Sequence, residues 1–245
     1  FFTRQKVLRF NKLKTMSNQE KTFVISLGGS IMVPEEIDEQ FLKKFRDFIL
    51  KKVSLGYKFI IITGGGRTCR KYQTAIRNVG KASLLDQDWI GIETTKLNAL
   101  LLKFILSKKA NPSLLDARGK IRNFGKYPII IGCGWEPGSS SDFDAAQVAV
   151  DFKIKTVVNL SNQDFVYTSD PKKDKNATPI IEISWKDYLK LIPSKWTSGM
   201  NTPFDPVAAN VAMKNNLKVI MANGRDLANL EKILTNKKFK GSTIS

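Results

Sequence analysis

"YKFIIITGGGRTCRKY", Tyr57 to Tyr72, sets three isoleucines and a threonine directly against three glycines and then supplies Arg67 and Arg70. The β-branched run reads as a buried strand. Glycines at its carboxyl end let the backbone approach a ligand where side chains would intervene, and a helix starting just after them directs partial positive charge at the same point. Arg67 and Arg70 fall in the first turn or so of that helix, where a guanidinium holds a phosphate through two parallel hydrogen bonds. A tight turn with two solvated arginines has the same local sequence, so this stretch alone leaves both readings open.

The same grammar repeats along the chain. "KTFVISL" runs into Gly28, Gly29 and Ser30; "KYPIIIGC" ends near Gly134; "IKTVVNLS" ends at Asn162; "LKVIMAN" ends at Gly224. Segments with helical periodicity fall between these runs at about 38–55, 67–79, 92–109, 143–153, 205–215 and 226–235. Strands alternating with helices predict an α/β fold with a mainly parallel sheet covered on both faces, because parallel pairing needs long crossovers. Ligands of such sheets gather at the carboxyl ends of the strands. Glycine-rich strand ends at 28–30, 64–66 and 132–142 predict several phosphates on one sheet edge. No GxxxxGK[ST] P-loop is present, and in "GCGWEP" a proline stands where GxGxxG needs its last glycine.

Composition narrows the chemistry further. Forty Lys and Arg against 22 Asp and Glu give a formal charge of +18 over 245 residues. That balance fits nucleic acid, an acidic membrane surface, small anionic substrates or a solvated lysine-rich surface. The lysines are scattered, with no zinc-finger, RNP or basic-zipper pattern, so no nucleic-acid partner is expected. The chain has no histidine, which excludes Ser/His and Cys/His triads and any imidazole base or ligand. Cys69 and Cys133 lie far apart and outside any CxxC, so neither a disulfide framework nor a structural zinc is expected, and a reducing cytoplasm fits. No apolar run reaches spanning length, and no membrane partner is expected. Residues 1–15 carry five Lys or Arg and no acid ahead of Met16, and read as a disordered or non-native extension to one domain over 16–245.

Taken in order, six pieces and the closing residues resemble the amino-acid kinase family and, within it, the archaeal-type uridylate (UMP) kinases. "VISLGGSIMVP" resembles the opening strand and glycine loop of the family, and "ITGGGRTCRKY" its second glycine loop with the trailing arginine. "DQDWIGIETTKLNALLL" resembles the D-x-IGI-xx-T-xx-NA-xLL segment of this branch. "PGSSSDFDAAQVA" resembles PGHTTDAVAA, "LSNQDFVYTSDPKKDKNA" resembles TNVDGVYTADPKKDP-A, and "FDPVAANV" the late DP-xAA motif. The closing "FKGSTIS" is similar to the final GT-x-I.

The resemblance implies a three-layer αβα sandwich, with the acceptor nucleotide bound by the half up to about residue 150 and ATP by the remainder. It implies in-line transfer from ATP to UMP, with Mg²⁺ carried in on ATP, and assembly as a homohexamer. It assigns Gly64, Gly65 and Gly66, with Arg67 and Arg70, to the acceptor phosphate, and Asp88 to the acceptor ribose; a helix-start cap is the other reading of Asp88. Ser140 and Ser141 replace two threonines that touch the acceptor phosphate. Asp142 matches an aspartate that aligns basic groups around the moving phosphoryl, and Asp205 a second one; each also reads as a helix N-cap, Asp205 with Pro206 behind it. Gly29 falls to the transferred group, with Gly28 and Ser30 beside the ATP phosphates. Asn162, Asp164, Tyr167, Asp170 and Lys172 match the segment that wraps ATP, although a core tyrosine and a charged surface turn would look alike. No metal ligands are assigned. Five departures stand out: Ser26 where many members carry lysine, Phe165 for a glycine, Gln163 for a valine, and Cys133 and Trp135 for a Gly and a Thr near the acceptor.

Overall fold

The computed structural model describes residues 21–197, 200 and 202–245. The extension expected at residues 1–15 lies outside the described residues.

Five of the β-branched runs form the parallel strands β1 (Thr22–Leu27), β2 (Lys58–Thr63), β3 (Ile129–Gly132), β4 (Thr156–Ser161) and, later in the chain, β8 (Lys218–Asn223). Between β4 and β8 come the short strands β5 (Val166–Tyr167), β6 (Pro179–Ile180) and β7 (Glu182–Ile183); β9 (Ser242–Ile244) closes the chain. The main sheet runs β3-β2-β1-β4-β8-β9-β7, and β5 pairs with β6 in a two-stranded ribbon. β9 lies antiparallel to β8 and parallel to β7. Strands of two or three residues are too short for periodicity to announce them, which is why this edge escaped the sequence reading.

The helices are α1 (Gly29–Met32), α2 (Glu39–Ser54), α3 (Gly66–Val79), α4 (Leu84–Leu106), α5 (Ser141–Asp151), α6 (Trp185–Leu191), α7 (Pro206–Lys214) and α8 (Leu227–Leu234). Alternate residues of each central strand serve opposite cores. Ile25, Ile61 and Ile131 pack with α2, α4 and α8, whereas Val24, Ile60 and Ile130 pack with α5, α6 and α7. The result is the three-layer αβα sandwich.

α4 begins at Leu84, well before the 92 expected from periodicity, because Ser83 and Asp86 form a capping box: Ser83 Oγ accepts from Asp86 N, and the Asp86 carboxylate accepts from Ser83 N. Asp88 is therefore inside the helix and is not its cap. Ser140, not Asp142, caps α5, its hydroxyl accepting from Asp142 N at 3.1 Å. Asp205 does cap α7, accepting from Val207 N and Ala208 N at 2.7 and 2.9 Å, with Pro206 at the first helical position.

Strand order positions the site. From β1 the chain builds outward through β2 to β3 and then returns to place β4 on the other side of β1. A crevice at the carboxyl ends of β1 and β4 follows from that reversal.

Candidate active site

At this switch point Ser26 of β1 and Asn159 of β4 are register partners on adjacent strands. Both donate to one oxygen, Asp142 Oδ1, at 2.8 and 2.7 Å, which pins the first turn of α5 across the crevice. Asp205 faces it from the start of α7, where its Oδ2 accepts from the Ser140 hydroxyl. Burial and the facing Asp205 push the Asp142 carboxyl up to about 7, and burial likewise raises Asp205. Among the described residues no lysine or arginine pairs with Asp142, so the cations it was expected to align are absent from its contacts.

The glycine loops meet here, backbone against backbone. A Cβ on Gly29 would lie 2.0 Å from Gly66 N, and one on Gly64 would lie 2.5 Å from Gly29 N. Gly66 also takes a left-handed φ of +67°. The glycines are thus required by the contact of one loop with the other, quite apart from any ligand. Gly28 N, Gly64 N and Arg67 N are spent on Leu160 O, Leu27 O and Val33 O at 2.8, 2.9 and 2.9 Å. The amides of Gly29, Ser30, Gly65 and Gly66 donate to no protein acceptor among the described residues; Gly65 and Gly66 start the 14-residue α3, and Gly29 and Ser30 start α1, with Gly29 packed against Gly64 and Gly66. That is an anion cradle: free N–H groups with a helix dipole behind them.

α4 holds the rim in place. Asn98 Nδ2 donates to Gly64 O at 2.7 Å, Thr63 Oγ1 to Thr95 O at 2.9 Å, and Gly134 N to Thr95 Oγ1 at 2.9 Å. Asp88 Oδ2 accepts from Gly138 N at 2.8 Å and ties α4 to the loop before α5.

The resulting cleft encloses about 270 Å³. It brings together Gly28, Gly29, Ser30 and Gly64, Gly65, Gly66 with Arg70 and Asp88, and faces them with Ser140, Ser141, Asp142 and Asp205. Six expected residues stay outside its lining. Arg67 is exposed and its Nε pairs with Glu35 at 3.0 Å. Asp164 is held by Lys240 at 2.6 Å and Asn223 at 3.1 Å, and the Lys240 hydrogen bond lowers its carboxyl below the usual range. Asp170 accepts from Lys172 N at 3.0 Å within an exposed turn; Asn162 is exposed, and Tyr167 half-buried with its ring edge-on to Phe165.

Several lining residues carried no expectation. Asn159, a lone amide in a buried strand, was the legible signal; Asp144, Thr95 and Trp196 gave none, because only the way α4, α5 and Trp196 come together in the fold brings them in. Among the described residues no group of three His, Cys, Asp or Glu side chains is arranged to hold a metal ion.

A sequence model of the Amino acid kinase family matches residues 21–223. A uridylate kinase of Thermoplasma volcanium is 35% identical over 221 residues, covering 89% of this chain and 94% of its own length. A uridylate kinase of Pyrococcus abyssi is 30% identical over 225 residues, 90% of this chain and 98% of the relative. The crystal structure of uridylate kinase from Archaeoglobus fulgidus superposes with a TM-score of 0.73 at 27% identity, over 91% of this chain and 99% of that one.

Proposed function

The chain belongs to the amino acid kinase family, and we propose that within it the protein transfers the terminal phosphoryl group of ATP to UMP, giving ADP and UDP for pyrimidine nucleotide synthesis. One observation carries this reading: Gly29, Ser30, Gly65 and Gly66, whose amides have no protein acceptor among the described residues, line with Arg70 a cleft whose opposite wall is Ser140, Ser141, Asp142 and Asp205. Phosphoryl transfer asks a protein chiefly for position and for stabilisation of negative charge spread over the moving group. Gly64–Gly66 and Arg70 hold the acceptor phosphate, the hydroxyls of Ser140 and Ser141 orient it, and Asp88 takes the ribose. Gly29 N faces the moving group, with Gly28 and Ser30 beside the donor phosphates. Arg67, paired with Glu35, contributes only long-range charge.

The half of the chain beyond about residue 150 takes ATP, with Asn162, Asp164, Tyr167, Asp170 and Lys172 along its approach. Mg²⁺ fits as an ion held chiefly by the triphosphate, since the raised Asp142 and Asp205 carboxyls are two donors and not a full ligand set. Bound there it neutralises charge on the phosphate oxygens. Among the described residues no cation stands beside Asp142 or Asp205, and a magnesium–nucleotide complex would supply their counter-charge.

Self-association as a homohexamer belongs to the same reading. Trp89, Leu97 and Phe104 on α4 are 47%, 60% and 70% exposed, an apolar face suited to a second copy. No helix among the described residues is long and apolar enough to cross a membrane, and the free thiols suit the cytoplasm.

A coupled ADP-release assay with UMP, CMP, AMP and isopentenyl phosphate tests the reaction. UMP is expected to give the highest kcat/KM; a better acceptor among the others overturns UMP as the substrate. A nucleotide-binding protein without catalysis is the second reading, favoured by Ser26, whose hydroxyl is committed to Asp142 where many relatives place a lysine. Tight UMP and ATP binding with no ADP release would select it.

A further inference from the structure

Asn98 lies well inside the 23-residue α4, is only 5% exposed, and is not part of the cleft lining. Asparagine is a weak helix former, and a buried amide costs stability unless hydrogen bonds complete it. Its partners account for it. Asn98 Nδ2 donates to Gly64 O at 2.7 Å and to Gly65 O at 3.2 Å, two consecutive carbonyls of the glycine loop. The side-chain amide carries two hydrogens, one for each, and two facing carbonyl oxygens fix which end of it points at them.

Those two contacts set the direction of the next two amides. No peptide bond among the described residues is cis, and in a planar trans peptide the C=O and the following N–H point opposite ways. Gly64 O shares its plane with Gly65 N, and Gly65 O with Gly66 N. With both carbonyls drawn to Asn98, both N–H groups turn away from it, toward the cleft that Gly65 and Gly66 line and Asn98 does not. They are two of the amides that find no protein acceptor among the described residues, whereas Gly64 N is spent on Leu27 O at 2.9 Å. Glycine peptides need such an external hold, because without a Cβ their backbone has more conformations open to it. Thr95, about one turn earlier on the same face of α4, accepts from Gly134 N and Thr63 Oγ1 and keeps the helix in place against the strand ends.

We propose that Asn98 is a positioning residue of the acceptor site, which never touches the nucleotide and aims the Gly65 and Gly66 amides at the acceptor phosphate. The identity of that anion rests on the acceptor reading above. Two N–H groups held in advance need no reordering when phosphate arrives, whereas unpinned glycine peptides are ordered by the ligand at the expense of affinity. Leucine at the same position has a similar bulk and no donor, and serine has one hydrogen for two carbonyls.

Calorimetric titration of UMP, uridine and ATP into the full chain and its Asn98→Leu variant tests it. Asn98→Leu is expected to weaken UMP about 10-fold, the scale of a misdirected hydrogen bond to a charged group. Uridine, which carries no phosphate, and ATP should change less than about twofold, within the spread of a neutral substitution. Unchanged UMP affinity, or equal losses for UMP and uridine such as a purely structural brace would give, overturns the positioning role. A second measurement needs no variant to fold. In the unsubstituted chain labelled with ¹⁵N-glycine, inorganic phosphate is expected to shift the amide resonances of Gly65 and Gly66 more than that of Gly64, which is bonded to Leu27. Gly65 and Gly66 resonances that do not respond overturn the proposal as well. Failure of the acceptor reading looks different: UMP would then bind the unsubstituted chain no better than uridine while phosphate still moved Gly65 and Gly66, so that the aimed amides stand and the acceptor assignment falls.

Discussion

The two regions proposed to take the acceptor and ATP are built in opposite ways. At the acceptor edge, Gly29, Gly64 and Gly66 touch backbone to backbone, Asn98 and Thr95 brace the loops from α4, and Ser26 and Asn159 fix Asp142 from two strands. Along 162–172, by contrast, Asp170 and Lys172 lie on an exposed turn, Asn162 is exposed, Asp164 is held by Lys240 and Asn223, and half-buried Tyr167 sits in β5 with its ring against Phe165. The first region is braced by contacts within the protein itself; the second is more solvated, and on the reading proposed above it would take its binding geometry from the nucleotide. Substitutions at the first should therefore act on folding and turnover, and at the second on ATP affinity alone.

The strongest break of that contrast is Gly29→Ala. Its Cβ meets main-chain atoms that have no rotamer to yield, so a loss of about 4 kcal/mol or more is expected, read as a lowered denaturation midpoint with activity abolished. A variant with wild-type stability would show that the loops are not in contact.

Next comes Asp142→Asn, which keeps both acceptor contacts to Oδ1 and removes the charge. A fall in kcat on the order of a hundredfold is expected, with KM for UMP little changed. Normal turnover would remove Asp142 from the reaction. The same variant sharpens the electrostatic picture. Because the folded carboxyl sits near 7, above its unfolded value, the native state holds an extra proton between about pH 4 and pH 7. Its contribution to stability is full below that window and is lost as pH rises through it. Wild-type Tm should drop from pH 5 to pH 8 more steeply than that of Asp142→Asn; parallel curves would contradict the raised carboxyl.

Arg70→Ala is expected to weaken UMP on the order of 10- to 100-fold, the ~1.5–3 kcal/mol of a charged hydrogen bond, while ATP is nearly unaffected. Equal losses for both nucleotides would dissolve the division of the cleft. The smallest effect belongs to Lys172→Ala on the exposed turn. KM for ATP should rise about threefold, the scale of a solvated charge contact, with UMP unchanged. A loss as large as that at Arg70 would mean the 162–172 region is as preorganised as the acceptor edge.

Local sequence determined the units. The β-branched runs became β1 to β4 and β8 because alternate side chains could enter two cores, and Asp205-Pro206 started α7 because its cap needs only neighbouring amides. The glycine triplet announced a close approach, and Arg70 an anion beside it. What the sequence could not hold was adjacency. That β4 returns beside β1, so that Ser26 and Asn159 meet on Asp142, depends on strand order, and strand order is settled by which faces can be buried together across the whole sheet. The same non-local packing decided that Gly29 needs its missing side chain because of Gly66, that Arg67 turns away to Glu35, and that Asp144, indistinguishable in sequence from a helix-start acid, is sealed into the cleft with an oxygen to spare. Periodicity and capping are satisfied within a few residues; desolvation and hydrogen-bond partnership are properties of the assembled core, and they exist only once the distant strands have met.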